Sequence, residues 1–189
     1  MGFKKNEFRF NFDSVIAKGT NDDVRNSIIE YILKNNNFDK SNAIDKLKSK
    51  WIDVDINEKD LIQCGNIINI FEYLKNKNIK IAICTSDDRK VTEKTIKLLK
   101  INNYVNAINC GDDPISSKPS PEPIWKICSD LEINPENTIM IGDTISDIHA
   151  GINAKCGKVI SVLTGGYNDY DLNKSDLILN SIDDLVNII

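Results

Sequence analysis

The chain has 189 residues, 41% of them apolar, which suits one domain of ordinary size, or such a domain with a small insertion. Its net charge of −4, with no Lys/Arg cluster interleaved with aromatic residues, argues against a nucleic-acid-binding protein. No signal-peptide-like segment and no apolar run long enough to cross a membrane occur in the sequence. We therefore expect a cytoplasmic protein with five reduced cysteines, and the absence of a C-x-x-C pair argues against zinc.

The N-terminal third begins with a strand-like segment and continues with helical patterns. Residues 8–16 carry three phenylalanines at alternate positions, followed by Asp13 and two β-branched residues. Apolar residues recur at helical spacing over residues 22–35, and a second, shorter helix is expected over residues 41–49. A further amphipathic helix, residues 66–76, then leads into the rest of the chain.

The remaining two thirds alternate between apolar strands and amphipathic helices. Strands are expected at residues 79–84, 106–109, 138–142 and 157–163, and helices near residues 89–100, 121–131 and 145–154. The pattern recurs weakly at the end, with an edge strand at 176–179 and a last helix capped by Ser181. Such alternation predicts an α/β fold with a parallel sheet and right-handed crossovers.

The most informative motif is Gly-Asp-Thr-Ile-Ser-Asp at residues 142–147, directly after a predicted buried strand. It places Asp143 and Asp147 in the loop that leaves the strand, and open α/β sheets bind ligands at this edge. Oxygen ligands of this kind suit Mg²⁺. The alternative is a solvated turn whose aspartates cap the following helix.

Two further polar features lie in loops after predicted strands. Thr85 and Ser86 follow the strand at 79–84, and Lys118 stands in a Ser- and Pro-rich loop before a helix. Taken alone, Thr85 could be a helix cap and Lys118 a surface lysine.

A strand-end hydroxyl, a loop lysine and a Gly-Asp-x-x-x-Asp loop, in that order, resemble the haloacid dehalogenase superfamily of phosphatases and related hydrolases. The Gly111-Asp112-Asp113 turn and the Lys-Pro-x-Pro-x-Pro run resemble its phosphoglycolate-phosphatase-like branch. The resemblance implies a Rossmann-like, doubly wound parallel sheet with a small inserted helical cap. The α/β core would comprise residues 1–16 and 65–189, and the cap residues 17–64.

In that family the nucleophile lies in a first motif, a hydrophobic strand ending in Asp-x-Asp-Gly. The best match is the segment at residues 8–16, where Asp13 aligns with the second aspartate. Asn11 occupies the nucleophile position and Ser14 replaces the glycine. An amide is a far poorer nucleophile than a carboxylate and cannot form an aspartyl-phosphate. The change also removes one negative charge from the metal site.

Two alternatives to this alignment remain open. The Asp53-x-Asp55 sequence has the right residue types, but a lysine-rich segment rather than a buried strand precedes it. The segment between Asp53 and Thr85 is also short for the flap, helix and strand that would have to lie between the two motifs. The other alternative is that the true first motif precedes Met1 in a longer product.

The resemblance implies roles for the remaining polar residues. Asp13 would be the general acid and base, and Thr85 with Ser86 would bind a phosphoryl oxygen. Lys118 would neutralise charge and orient the first carboxylate. The ligands of Mg²⁺ would be Asn11, Asp13 and Asp143. Asp147 would be a further ligand, or a residue that holds the ligands in place.

The expected function is that of a Mg²⁺-dependent phosphatase acting on a small phosphomonoester. The alternative is a catalytically inactive family member that binds a phosphorylated ligand or a protein partner. Asn11 and Ser14 favour loss of turnover. A site built for phosphate and metal is favoured by the retention of five residues: Asp13, Thr85, Lys118, Asp143 and Asp147. His149, the only histidine, is not expected to take part in catalysis. No feature of the predicted cap indicates a particular substrate or oligomeric state.

Overall fold

The computed structural model describes residues 21–35, 41, 44–45, 56–165 and 172–189. Five α-helices lie in these ranges: α1 (Asn21–Asn35), α2 (Ile67–Asn76), α3 (Arg89–Leu98), α4 (Glu122–Leu131) and α5 (Ile145–Ala154). The five strands are β1 (Ile81–Cys84), β2 (Val105–Asn109), β3 (Ile139–Gly142), β4 (Lys158–Val162) and β5 (Leu177–Leu179). Short 3₁₀ helices cover Glu58–Asp60, Pro135–Asn137 and Ile182–Asn187.

Every strand pairing within the described residues is parallel. Strand β1 pairs with β2, with Cys84 opposite Asn109 at the carboxyl ends. Strands β3, β4 and β5 form a second group in that order, with Gly142 of β3 opposite Ser161 of β4. Helix α3 connects β1 to β2 and helix α5 connects β3 to β4, as a βαβ topology requires. The sequence prediction of a parallel α/β fold is therefore confirmed.

Apolar side chains cover both faces of β4, which is typical of a doubly wound sheet. Ile160 and Val162 belong to a cluster that also holds Ile81 of β1 and the buried face of α2. Val159 points to the opposite face, where it packs with Ile148 of α5. Because the first cluster contains residues of both strand groups, a single core joins them.

Local sequence explains where several elements begin and end. Helix α2 starts after Asn66, whose side chain accepts a hydrogen bond from the Asn69 amide, and it buries Ile70, Phe71 and Leu74 on one face. Ser181 caps the last helix as predicted, by accepting from the Asp183 amide, but this helix is of the 3₁₀ type. All predicted strands from residue 79 onward are present, with bounds shifted by one or two residues.

The predicted cap, residues 17–64, is described only in part, at residues 21–35, 41, 44–45 and 56–64. Helix α1 confirms the helix expected at 22–35, whereas the helix expected at 41–49 is described only at residues 41, 44 and 45. The strand-like segment at residues 8–16 is outside the described residues altogether. None of the helices in the described ranges has the length and apolar character needed to cross a bilayer.

Candidate active site

A buried lysine joins the loop before α4, the first turn of α5 and the end of β1 at the carboxyl ends of the strands. Lys118 lies in the loop between β2 and α4, and its Nζ donates to Asp147 Oδ1 at 2.6 Å. The same Nζ donates to the backbone carbonyl of Cys84, the last residue of β1, at 2.9 Å. The two charged side chains are only 9% and 7% exposed. Lys118 is therefore not a surface lysine, and it links the ends of β1 and β3.

The charge environment keeps Lys118 protonated. Burial, the largest single influence, would lower the pKa of this lysine, but the charge and hydrogen bond of Asp147, together with Cys84 and Asp143, raise it overall. The adjacent Cys84 thiol behaves differently, because burial raises its pKa to about 11. The site thus contains a fixed positive charge beside a neutral thiol, and Cys84 is a poor candidate for a thiolate nucleophile.

Asp147 is engaged by protein donors at both of its carboxylate oxygens. Besides Lys118 on Oδ1, its Oδ2 accepts from the Thr144 amide at 3.0 Å and from the Thr144 hydroxyl at 2.7 Å. Thr144 in turn caps α5 by accepting from the Asp147 amide, which completes a reciprocal capping box. Of the two roles expected for Asp147, this geometry favours the partner that orients the site over the direct metal ligand.

Two glycines make room for the aspartates of this loop. A Cβ atom on Gly142 would lie 2.3 Å from the Cβ of Asp147, and one on Gly165 would lie 2.1 Å from Asp143 Oδ2. The loop that leaves β4 therefore closes directly over the Asp143 carboxylate. A larger residue at either position would force the neighbouring aspartate to shift.

Asp143 has the properties of a carboxylate that a cation would stabilise. Burial raises its pKa, and the negative charge of Asp147 raises it further, while Lys118 lowers it less. Oxygen donors in a partly desolvated loop fit Mg²⁺ rather than a soft metal. Among the described residues no cluster of three or more His, Cys, Asp or Glu side chains could hold a metal. Further ligands would have to come from elsewhere in the chain, from solvent or from substrate.

Thr85 sits where β1 ends, next to the Cys84 carbonyl that Lys118 contacts. Its amide donates to the Asn109 carbonyl at 3.0 Å, which continues the pairing of β1 with β2. Its hydroxyl accepts from the Asp87 amide at 3.1 Å, so the residues after the strand form a tight turn. The alternative of Thr85 as a helix cap is wrong, because α3 begins at Arg89 with Asp88 as its N-cap residue.

The structure brings four of the predicted site residues to one edge of the fold: Thr85, Lys118, Asp143 and Asp147. Asn11 and Asp13 lie outside the described residues, as do Asp53 and Asp55 of the alternative first motif. Ser86 directly follows Thr85, and its backbone lies against Gly111. His149 contacts the exposed Lys174 at 3.3 Å.

Sequence patterns did not reveal two features of this site. The first is the Cys84 carbonyl as the second acceptor of Lys118, because a backbone acceptor has no sequence signature. The second is the contact between Gly165 and Asp143, for which the Thr-Gly-Gly sequence after β4 is the one available signal.

Comparison with known proteins identifies the family and agrees with the fold. A family model described as haloacid dehalogenase-like hydrolase matches residues 7–162. Pyrophosphatase PpaX of Bacillus mycoides is 34% identical over 119 residues, which are 62% of this chain and 55% of the relative. PpaX of Oceanobacillus iheyensis is 28% identical over 173 residues, 85% of this chain and 80% of the relative. Phosphoglycolate phosphatase of Aquifex aeolicus is 32% identical over 117 residues, 62% of this chain and 54% of the relative. The chain thus spans about half the length of two of these relatives.

Solved structures support the same fold. A crystal structure described as a predicted phosphoglycolate phosphatase from Haemophilus somnus superposes with a TM-score of 0.69 at 18% identity, covering 89% of this chain and 77% of its own. CbbY from Rhodobacter sphaeroides in complex with phosphate superposes with a TM-score of 0.63 at 16% identity, covering 87% and 80%. The chain belongs to the haloacid dehalogenase-like hydrolases, and it has the Rossmann-like α/β fold of these structural neighbours.

Proposed function

We propose that this protein is a Mg²⁺-dependent phosphatase that acts on a small phosphorylated compound. Its turnover is expected to be slow, because Asn11 occupies the nucleophile position. The observation that carries the proposal is the buried Lys118–Asp147 pair, which lies beside Asp143 and at the end of β1. A cation fixed by two acceptors at the edge of a parallel sheet suits an anionic ligand. The names of the curated relatives, pyrophosphatase and phosphoglycolate phosphatase, support small phosphorylated substrates.

Each described residue has a distinct task in this proposal. Thr85 and the amides of its turn would hydrogen-bond the phosphoryl oxygens, and Lys118 would offset their charge. Asp147 would hold Lys118 in place through the 2.6 Å contact. Asp143 would hold Mg²⁺, which when bound supplies charge compensation to the phosphate. These residues provide binding and electrostatic stabilisation but no nucleophile.

The N-terminal segment would supply the residue at the nucleophile position, Asn11. A cleft of about 1170 Å³ in the described part of the chain is lined by β1, by β3 and by Asp143 at one end. We propose that the first-motif segment, residues 8–16, meets the rest of the site at this cleft. That arrangement would place Asn11 and Asp13 beside Asp143 and the Cys84 carbonyl. Residues 17–64 would then form the small cap, and residues 65–189 the rest of the core.

A turnover assay tests the proposal. Hydrolysis of p-nitrophenyl phosphate with Mg²⁺ should be very slow for the chain as it stands, and Asn11→Asp should raise the rate by orders of magnitude. Loss of a covalent nucleophile leaves positioning and electrostatics, which in a triad hydrolase retain roughly 10³–10⁴-fold over water. Asp143→Asn in the Asn11→Asp background is the control and should abolish the gain. Brisk turnover by the unaltered chain would mean that Asn11 is not at the nucleophile position.

The second candidate is a catalytically inactive family member that binds a phosphorylated ligand. Asn11 and Ser14 at the first motif favour it, because both depart from the residues that the family uses there. An Asn11→Asp protein that stays inert while still binding inorganic phosphate would favour this candidate over the phosphatase.

A further inference from the structure

The loops that follow β1 and β2, residues 85–88 and 110–113, are locked together through their backbones. The Gly111 amide donates to the Asp87 carbonyl at 2.8 Å. A Cβ atom on Gly111 would lie 2.1 Å from the Ser86 carbonyl oxygen, so only glycine fits there. The loop after β2 thus packs against the residues proposed to bind phosphate.

Asp113 is the centre of this contact. Its carboxylate accepts from Arg89 Nη2 at 2.7 Å on each oxygen and from Arg89 Nε at 3.2 Å. It also accepts from the Asn109 side-chain amide at 3.0 Å and the Cys110 backbone amide at 2.9 Å. Its side chain is only 19% exposed. Such a set of charge-assisted bonds fixes the geometry of Arg89, the first residue of α3.

Asp112 supplies the cap that α3 otherwise lacks. Its Oδ1 accepts from the Arg89 backbone amide at 2.8 Å, whereas the N-cap residue Asp88 makes no side-chain capping bond. The start of α3 is therefore held by two consecutive carboxylates from a loop more than 20 residues away. Capping by a distant loop couples the position of the 85–88 turn to that loop.

The charge state of the contact agrees with its geometry. Burial alone would raise the pKa of Asp113, but the hydrogen bonds from Arg89 and Cys110, together with the Arg89 charge, lower it overall. The bond to Asp113 raises the pKa of Arg89. Both side chains are therefore ionised at neutral pH, and the ion pair connects the loop after β2 to the start of α3.

We propose that Asp113, acting through Arg89 and assisted by Asp112, is a positioning residue that holds the 85–88 turn in its phosphate-binding form. This inference rests on the proposed phosphate site at Thr85 and Ser86. Asp113 itself would not touch the phosphate. Its role would be to set the direction of the Thr85 hydroxyl and of the amides that follow it.

Amide hydrogen exchange tests the Asp113–Arg89 contact without an activity measurement. Asp113→Asn should speed amide exchange in residues 85–89 by about tenfold or more, as expected when a hydrogen bond to a charged group is lost. Exchange in β3 and α5 should stay unchanged. Asp130→Asn is the matched control, because it removes an Asp from an exposed i,i+4 pair with Lys126. It should leave the 85–89 segment unaffected.

Calorimetric titration with inorganic phosphate in the presence of Mg²⁺ then separates positioning from stability. A positioning residue predicts that Asp113→Asn raises the phosphate Kd about tenfold at unchanged stoichiometry, by the same loss of a charged hydrogen bond. If Asp113 only stabilised the fold, its replacement would unfold part of the sample. The measured stoichiometry would then fall, and the Kd of the folded fraction would stay unchanged. If Asp113→Asn does not fold, the same titration is made with Asp112→Ala. This change at an exposed position removes only the side-chain cap of α3. It should raise Kd and speed exchange at Arg89, by less than Asp113→Asn.

The outcomes keep the two proposals apart. Phosphate binding by the parent chain that neither variant weakens, with unchanged exchange in residues 85–89, would overturn this inference alone. No phosphate binding by the parent chain would overturn the proposed function and this inference with it.

Discussion

Replacing Lys118 by Met should destabilise the protein far more than replacing an exposed lysine. Lys118 and Asp147 are 9% and 7% exposed and 2.6 Å apart, so Lys118→Met leaves a buried carboxylate without its cation. Breaking a buried pair by removing one partner costs about 3–5 kcal/mol. The Cys84 carbonyl loses its 2.9 Å donor as well. We therefore expect a loss of about 3–5 kcal/mol in the free energy of unfolding at pH 7.

Urea denaturation followed by circular dichroism measures this loss. Lys126→Met is the matched control, because Lys126 forms an exposed i,i+4 pair with Asp130 and should change stability by at most about 1 kcal/mol. Adding Asp147→Asn to Lys118→Met removes the unpaired charge and should recover part of the loss. A cost of Lys118→Met equal to that of Lys126→Met would refute the buried-pair argument.

Two further predictions concern pH and metal. The pKa of Asp113 is lowered in the folded state, so its contribution to stability is present above its ordinary pKa and is lost as pH falls through the folded value. The stability gap between the parent and Asp113→Asn should thus be constant from pH 5 to 7 and shrink below about pH 4; a gap unchanged at pH 3 would contradict this. Mg²⁺ at about tenfold its Kd should stabilise the fold by about 1.4 kcal/mol, a Tm increase of about 3–6 °C. Thermal scans of Asp143→Asn, which should show no such increase, provide the check.

Local sequence was sufficient for the elements of the core. Strands β1 to β5 are short apolar runs and helices α2 to α5 have one apolar face, so hydrophobic periodicity alone located them. Parallel pairing followed from their alternation. The 3₁₀ character of the last helix did not follow, because Ser181 caps either helix type equally well.

The site was predictable as a set of residues but not as a network. Motif order identified Thr85, Lys118 and the two aspartates after β3, which the fold brings to one edge. The backbone acceptor of Lys118 could not be predicted, because every residue carries a carbonyl. The Asp113–Arg89 pair spans 24 residues of sequence, and only the packing of two loops makes them neighbours. Remote capping of α3 by Asp112 has the same origin.

The separation between the Asn11 side chain and the Asp143 carboxylate shows whether Asn11 occupies the nucleophile position beside the metal site. It can be measured in a crystal structure of the full chain grown with Mg²⁺ and inorganic phosphate. Two ligands of one Mg²⁺, each about 2.1 Å from the metal, lie at most about 4.2 Å apart. We expect an Asn11–Asp143 separation of that order, with phosphate bound near Thr85 and Lys118. A separation above roughly 10 Å cannot be bridged by one Mg²⁺ and would contradict the assignment of Asn11 to the nucleophile position.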